Sequence, residues 1–287
     1  VEGLLDAHRA RVGRVDDDAP VDHQGDAQGH RAWARVVARE LDREIMRLKD
    51  LTGAAHSAEV RRLAALIRQQ SPKYAAPLAS NLVVDGVDGS RETAQIIAET
   101  LMFALPKGDA ADAGYYRKVA ELVRYQGARV AATGPAYEAA TRELEAEDEA
   151  RRRAEFTLPD VNGRRWPLRE PQRKTTLVTF WATWCPPCRE EFAELEALAA
   201  RFGGRLAILA ISGEQPETVK RFLAGRKGGF PVLLDAGDQV KRSLFVRDFP
   251  TNLIYDRSGN LAGQIFGRGS MEELLALLRK AGLRDQD

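Results

Sequence analysis

The stretch Leu177-Val178-Thr179-Phe180-Trp181-Ala182-Thr183-Trp184-Cys185-Pro186-Pro187-Cys188-Arg189-Glu190-Glu191-Phe192 decides how this chain is read. Its first part lies in the apolar, β-branched run Thr175–Trp181 and predicts a buried strand. Its last part opens an amphipathic helix to about Phe202, with Phe192, Leu195, Leu198 and Phe202 on its inner face. Between the two lies C-x-x-C. Where a strand gives way to a helix, two cysteines at that spacing sit one turn apart and can close a ring. The first sulfur then lies at the helix N-terminus, where free N–H groups and the helix dipole favour a thiolate. The thiolate is the attacking species in thiol exchange, so Cys185 is the expected nucleophile and Cys188 the resolving thiol.

The residues between the cysteines bear on poise. Proline suits the first helical turn, where N–H groups lack partners. Pro186 and Pro187 nonetheless each remove a donor that could have stabilised the Cys185 thiolate, leaving the Cys188 N–H as the nearest candidate. A modest lowering of the thiol pKa follows, and a strongly stabilised thiolate is what makes a strong oxidant. The pair is therefore expected to be a reductant or mild exchanger.

No other cysteine is present, so a structural disulfide framework is excluded. A zinc site needs four ligands, and His8, His23, His30 and His56 all lie more than 100 positions upstream without H-x3–5-H spacing. No metal and no cofactor are expected.

Around the motif the pattern is that of an α/β sheet, with short β-branched runs alternating with helices. FTLPDVNGRRWPL, from Phe156, is an extended lead-in with an Asn162-Gly163 turn. Strands are expected at Leu206–Ile211, Val232–Leu234, Asn252–Tyr255 and Leu261–Ile265, and helices at about 216–225, 238–245 and 270–281. Ser270 with Glu273 forms a capping box for the last.

Upstream the character differs. Residues 11–29 are polar and Gly/Asp-rich without periodicity, and residues 1–29 are read as a flexible segment. From His30, Trp33, Val37, Leu41, Ile45 and Leu48 recur at helical spacing. Further helices are expected after Ser57, at 91–104, from Ala111 to Tyr125 and at about 136–153, with a turn-like stretch from Ser80 to Ser90. About five helices thus make an all-α domain, 30–153, ahead of an α/β domain, 154–287. A length of 287 residues suits two domains at roughly 150 residues each.

Composition sets the outer bounds. A net charge of +1 gives no electrostatic case for nucleic acid or an anionic membrane surface. No run of about 18 apolar residues is present to span a membrane. Val1–Asp16 lacks the apolar core of a secretory signal. A start at Val1 rather than Met fits a mature or truncated form.

LVTFWATWCPPCREEF resembles the active-site strand and helix of the thioredoxin superfamily, and within it the TlpA/ResA-like branch. FTLPDVNGRRWPL is similar to that branch's N-terminal hairpin, and ISGEQPETVKRFL with FPVLLD to its central strand–helix–strand segment. Phe249-Pro250-Thr251, followed by NLIYDRSGNLAGQIFG, resembles its cis-proline loop and closing hairpin. The resemblance covers about 154–283 and implies a thioredoxin-like fold, a central mixed sheet flanked by helices, behind the helical region. It implies that Pro250 is a cis-proline facing the disulfide, that Phe249 and Thr251 beside it contact an extended client, and that Trp184 is an aromatic wall beside the thiols. It implies that Glu191 shuttles protons to Cys188, the alternative being a solvent-facing helix position. Cytoplasmic thioredoxins carry a buried Asp six residues before the first cysteine; here that position is Thr179, which is no base near neutral pH.

The function implied is a thiol–disulfide oxidoreductase that reduces or exchanges disulfides in client proteins. Its partners would be disulfide-bearing clients and an upstream thiol reductant or membrane redox partner, in an extracytoplasmic setting. A peroxiredoxin is the second enzymatic reading, but that class needs P-x3-T-x2-C, and Thr183-Trp184-Cys185 lacks the spacing. A third reading makes the helical half a binding module, with Trp33, Tyr115, Tyr116 and Tyr137 as a groove; helical aromatics more often belong to a core.

Overall fold

The computed structural model describes residues 3, 23–51, 53–87, 90–105, 113–169, 174–226 and 228–284. The chain divides into two units, Val1–Arg142 and Glu143–Asp287.

The regular elements described in the first unit are all helices: α1 (His23–Met46), α2 (Gly53–Ile67), α3 (Pro72–Gly86), α4 (Arg91–Ala104), α5 (Ala113–Gln126) and the start of α6 (Pro135–Arg152). Its core is built by the periodic apolar positions, among them Leu41, Ile45, Val60, Leu63, Leu82, Ile97, Leu101 and Val119. Tyr115, Tyr116 and Tyr137 pack against this core, which favours the structural role for them over a groove. The side chain of Trp33 lies outside the described residues.

Two local expectations are corrected. Residues 23–29 begin α1 instead of ending a flexible segment; residues 1, 2 and 4–22 lie outside the described residues. Residues 80–86, read as a turn, are the last turns of α3. That helix starts at Ser71-Pro72, with proline in its first turn where a missing N–H costs nothing. Ala75, Ala76, Ala79 and Leu82 then carry its buried face through to Gly86.

The second unit is a mixed sheet of order β5-β4-β3-β6-β7, made of β3 (Thr175–Phe180), β4 (Leu206–Ser212), β5 (Val232–Leu234), β6 (Thr251–Tyr255) and β7 (Leu261–Phe266). β3 runs parallel to β4 and antiparallel to β6. Helices α7 (Pro186–Phe202), α8 (Pro216–Leu223), α9 (Gln239–Ser243) and α10 (Met271–Lys280) complete it. A two-stranded hairpin precedes the sheet, β1 (Thr157–Pro159) with β2 (Arg165–Pro167), and Gly163 supplies its positive φ of 86°. The expected capping box is present at Ser270 and Glu273.

β3 is the centre of this unit. All six of its residues are buried, as its unbroken apolar and β-branched run demands. Leu177 packs with Leu195 and Leu198 of α7 on one face, while Val178 and Phe180 join Leu209, Leu233 and Leu253 on the other.

The unit begins at Glu143, eleven residues before the boundary read at 153/154, because the end of α6 is bound into it. Arg151 is 1 % exposed. Its guanidinium donates to the Leu244 carbonyl (2.9 Å) and the Phe245 carbonyl (3.3 Å), and pairs with Asp148 and Glu147. Tyr255 Oη donates to the Arg151 carbonyl at 2.9 Å, Gln264 Nε2 donates to Asp148, and Arg247 pairs with Glu147. No hydrophobic period announces this tie, so the sequence pattern placed the helix end in the wrong unit.

Truncating one partner of a buried ion pair strands the rest, at about 3–5 kcal/mol. Arg151→Ala should therefore destabilise the second unit by that order, read as a lower urea midpoint of its unfolding, whereas Arg153→Ala, at an exposed position, should leave the midpoint unchanged.

Candidate active site

The end of β3 delivers the chemistry. Beyond Phe180 the chain turns through Trp181–Trp184, with the Cys185 N–H donating to the Ala182 carbonyl, and α7 starts at Pro186. Cys185 is the N-cap residue, and Cys185 and Cys188 are joined by a disulfide with Cα atoms 5.3 Å apart. Both are buried. The Cys188 N–H lies 3.2 Å from Cys185 Sγ, so the one donor that the two prolines spare is aimed at the first sulfur.

The loop carrying Trp184 is held from β4. The Glu214 carboxylate accepts from the Thr183 N–H (2.6 Å), the Thr183 hydroxyl (2.7 Å) and the Ser212 hydroxyl (3.2 Å). Sequence reasoning missed Glu214. An acidic residue in the Gly213–Gln215 turn gives no sign that it reaches a loop thirty-one positions away.

The remaining expected residues fall as follows. The Phe249–Pro250 peptide is cis. Phe249 packs against the cluster that contains both cysteines, and Trp184 meets it edge-on at 5.8 Å between ring centroids. Trp184 is 68 % exposed, so it is an aromatic flange standing in solvent more than a wall. Lys241 Nζ sits 4.8 Å over the Phe249 ring and 3.3 Å from an Asp238 carboxylate oxygen. Thr251 departs from its expected part in client contact. It is fully buried, and its hydroxyl donates to the Asp248 carbonyl at 2.7 Å, closing the turn that leads into the cis-proline.

Glu191 is buried beneath the active-site helix, which removes the solvent-facing alternative. The residue stands on the same face of α7 as Cys188, three positions on, and so points at the sheet. Burial pushes its carboxyl up from 4.5 to about 7; Asn252 Nδ2, donating at 2.8 Å, and the Gly269 N–H pull in the other direction. Asn252, the second residue that sequence reasoning missed, is the register partner of Thr179. One signal was available: a polar residue at the head of the otherwise apolar strand Asn252–Tyr255. Beside this carboxyl, Arg268 is clamped between Glu190 and Glu194 of α7.

Chemically, the site is a disulfide at a helix N-terminus with a buried carboxyl raised to about 7 one turn further along the helix. Among the described residues no cluster of metal-binding side chains occurs, and no helix is long and apolar enough to cross a membrane.

Comparison with known proteins agrees in region and chemistry. The AhpC/TSA family profile matches residues 150–264. The thiol-disulfide oxidoreductase ResA of Bacillus thuringiensis (strain Al Hakam) is 28% identical over 127 residues, covering 44% of this chain and 73% of ResA. The thioredoxin-like protein YneN of Bacillus subtilis is 32% identical over 115 residues, covering 39% of this chain and 67% of YneN. Among solved structures, a putative thiol:disulfide interchange protein DsbE from Chlorobium tepidum aligns at 26% identity and a TM-score of 0.42, over 45% of this chain and 93% of its own.

The raised Glu191 pKa has a consequence for stability. An acid that binds its proton more tightly in the folded state stabilises the fold while protonated. The contribution is complete below pH 4.5 and is lost as pH rises through about 7. Glu191→Gln, neutral throughout, should remove this slope and be more stable than the wild type at pH 8 by on the order of 3 kcal/mol, read as unfolding at higher urea. Parallel wild-type and variant curves between pH 5 and 8 would refute it.

Proposed function

We propose a direction and a client class for the chemistry of this chain, which belongs to the TlpA/ResA-like thiol–disulfide oxidoreductases of the thioredoxin superfamily. The reaction is the reduction or exchange of disulfides in client proteins. The Cys185 thiolate attacks a client disulfide, forming a mixed disulfide and releasing one client sulfur as thiolate. Cys188 gives up its proton and attacks Cys185 Sγ, closing the internal disulfide and releasing the second client thiolate. Two electrons pass from the dithiol to the client, and an upstream thiol reductant must return them. Glu191 takes the Cys188 proton; a carboxyl held near 7 is half ionised at neutral pH and can accept it.

The observation that carries the direction is the donor set at Cys185. Among the described residues the Cys188 N–H alone points at its sulfur, since the two preceding helical residues are prolines. A thiolate held by so little is a good nucleophile and a poor leaving group, which favours giving electrons over taking them. Phe249 and the exposed Trp184 offer an extended client segment an aromatic edge beside the disulfide, and the Phe249 backbone beside Pro250 would pair with it in strand fashion. The expected compartment is extracytoplasmic, on the family resemblance.

Cys185→Ser should abolish insulin reduction, and Cys188→Ser should retain the first attack and accumulate mixed disulfides with clients, visible on non-reducing gels. The reduction potential should lie well below the roughly −120 mV of the strong oxidant DsbA. A potential near that value would reverse the proposed direction and leave the two-cysteine chemistry intact.

A further inference from the structure

Among the described residues several buried polar atoms have nothing to bond, and two of them, Thr179 Oγ1 and Asn252 Oδ1, belong to paired residues under α7. Thr179 and Asn252 are register partners on adjacent antiparallel strands, so their side chains leave the same face of the sheet. That face is the one α7 covers. Leu177, two residues before Thr179, packs on Leu195 and Leu198, and Trp181, two residues after, meets Phe192 at 4.5 Å between rings. Both Thr179 and Asn252 are 0 % exposed. Asn252 Nδ2 is spent on Glu191 Oε1, which leaves Asn252 Oδ1 and Thr179 Oγ1 without a partner among the described residues. The neighbour of Thr179 on β4 is Ala210, which offers no polar side chain. Orphaned buried polar groups are rare because each forfeits its hydration, and two on paired residues call for an explanation.

The group that changes character in this pocket is Cys188. It is buried and lies one turn before Glu191 on the inner face of α7. As half of a disulfide its sulfur has no proton to donate. Reduction by two electrons and two protons gives each sulfur an S–H, a donor that also accepts weakly.

We infer that Thr179 and Asn252 are positioning residues that form a redox-responsive cradle for Cys188. In the reduced protein the Cys188 S–H donates to Asn252 Oδ1 and the sulfur accepts from the Thr179 hydroxyl. The two atoms left idle by the disulfide are then both used. The arrangement also aims the Cys188 proton along Asn252 toward the Glu191 carboxyl, and the Thr179 hydroxyl supports the thiolate that attacks Cys185. Neither residue reacts. In place of a base, the strand supplies a hydroxyl whose bond exists in one redox state only. The inference rests on the reading of Cys188 as the resolving thiol.

Thr179→Val in the full chain tests it, because valine keeps the branched shape and removes only the hydroxyl. The two redox forms should respond with opposite sign. The oxidised form should be as stable as wild type or more so, since an idle buried hydroxyl becomes a methyl. The reduced form should be less stable. The equilibrium with reduced and oxidised glutathione should accordingly shift toward the disulfide by roughly five- to tenfold. Thr179→Ser, which keeps the hydroxyl, should restore the wild-type equilibrium even if it packs less well. An equal change in both redox forms, with the glutathione equilibrium within twofold of wild type, would make Thr179 a packing residue and overturn the inference. A wild-type protein whose disulfide does not exchange with glutathione at all is a separate result: it would overturn the redox reading of the cysteine pair, and the inference with it.

Discussion

The burial of β3 on both faces governs everything around the disulfide. Its six residues carry no solvent-exposed position, so the strand cannot slip or tilt without exposing a core on one side or the other. Parallel pairing with β4 and antiparallel pairing with β6 fix its register from both edges. The end of such a strand is a rigid point. The loop that follows is pinned by Glu214 from the end of β4, and α7 begins one residue after Cys185. Cys185 therefore sits at a helix N-terminus whose place is set by a fully buried strand paired on both edges.

That rigidity has a cost that the site turns to use. A helix laid over a fully buried strand seals whatever lies between them, including one carboxyl, one carboxamide and one hydroxyl. For Glu191 the loss of hydration outweighs the Asn252 and Gly269 donors, and the carboxyl rises to about 7. The strand itself carries Thr179 at the facing position, so the buried acid of this site stands on the helix. The basic residue nearest to it, Arg268, is engaged by Glu190 and Glu194 and offsets the shift only in part.

The segment leading to the cis-proline is held in a different way. α9 is only five residues long and is followed by Phe245 with a φ of 53°, an uncommon conformation for a bulky side chain. The Leu244 and Phe245 carbonyls just beyond it are gathered by Arg151, whose charge is met by Asp148 and Glu147 on its own helix. Ion pairing between residues three and four apart on α6 organises the guanidinium, and the guanidinium organises the chain ahead of Phe249. The end of α6 thus belongs to the redox unit by hydrogen bonding and not by hydrophobic pattern.

The strand–C-x-x-C–helix order, the sheet's alternation of strands and helices, the capping box at Ser270 and the helical character of most of the first unit were all legible in the sequence, because each rests on local periodicity or local backbone chemistry. The two prolines likewise fixed from sequence alone that one N–H would serve the first sulfur, since proline has no N–H wherever it folds. Misreadings fell where local signals compete or are silent. Pro77 and the small residues of α3 hid the helix through 80–86, and the polar end of α6 hid its attachment to the second unit. Glu191 could be named from the family resemblance, yet whether it faced water or the sheet was undecided, because its place in the sequence does not say what covers it. Thr179, Asn252 and Glu214 acquire meaning only from register and packing across distant positions. The sequence by itself determined which atoms can do redox chemistry; the tertiary structure decided which of their neighbours are cut off from water, and desolvation depends on everything that surrounds a group, not on the residues beside it in the chain.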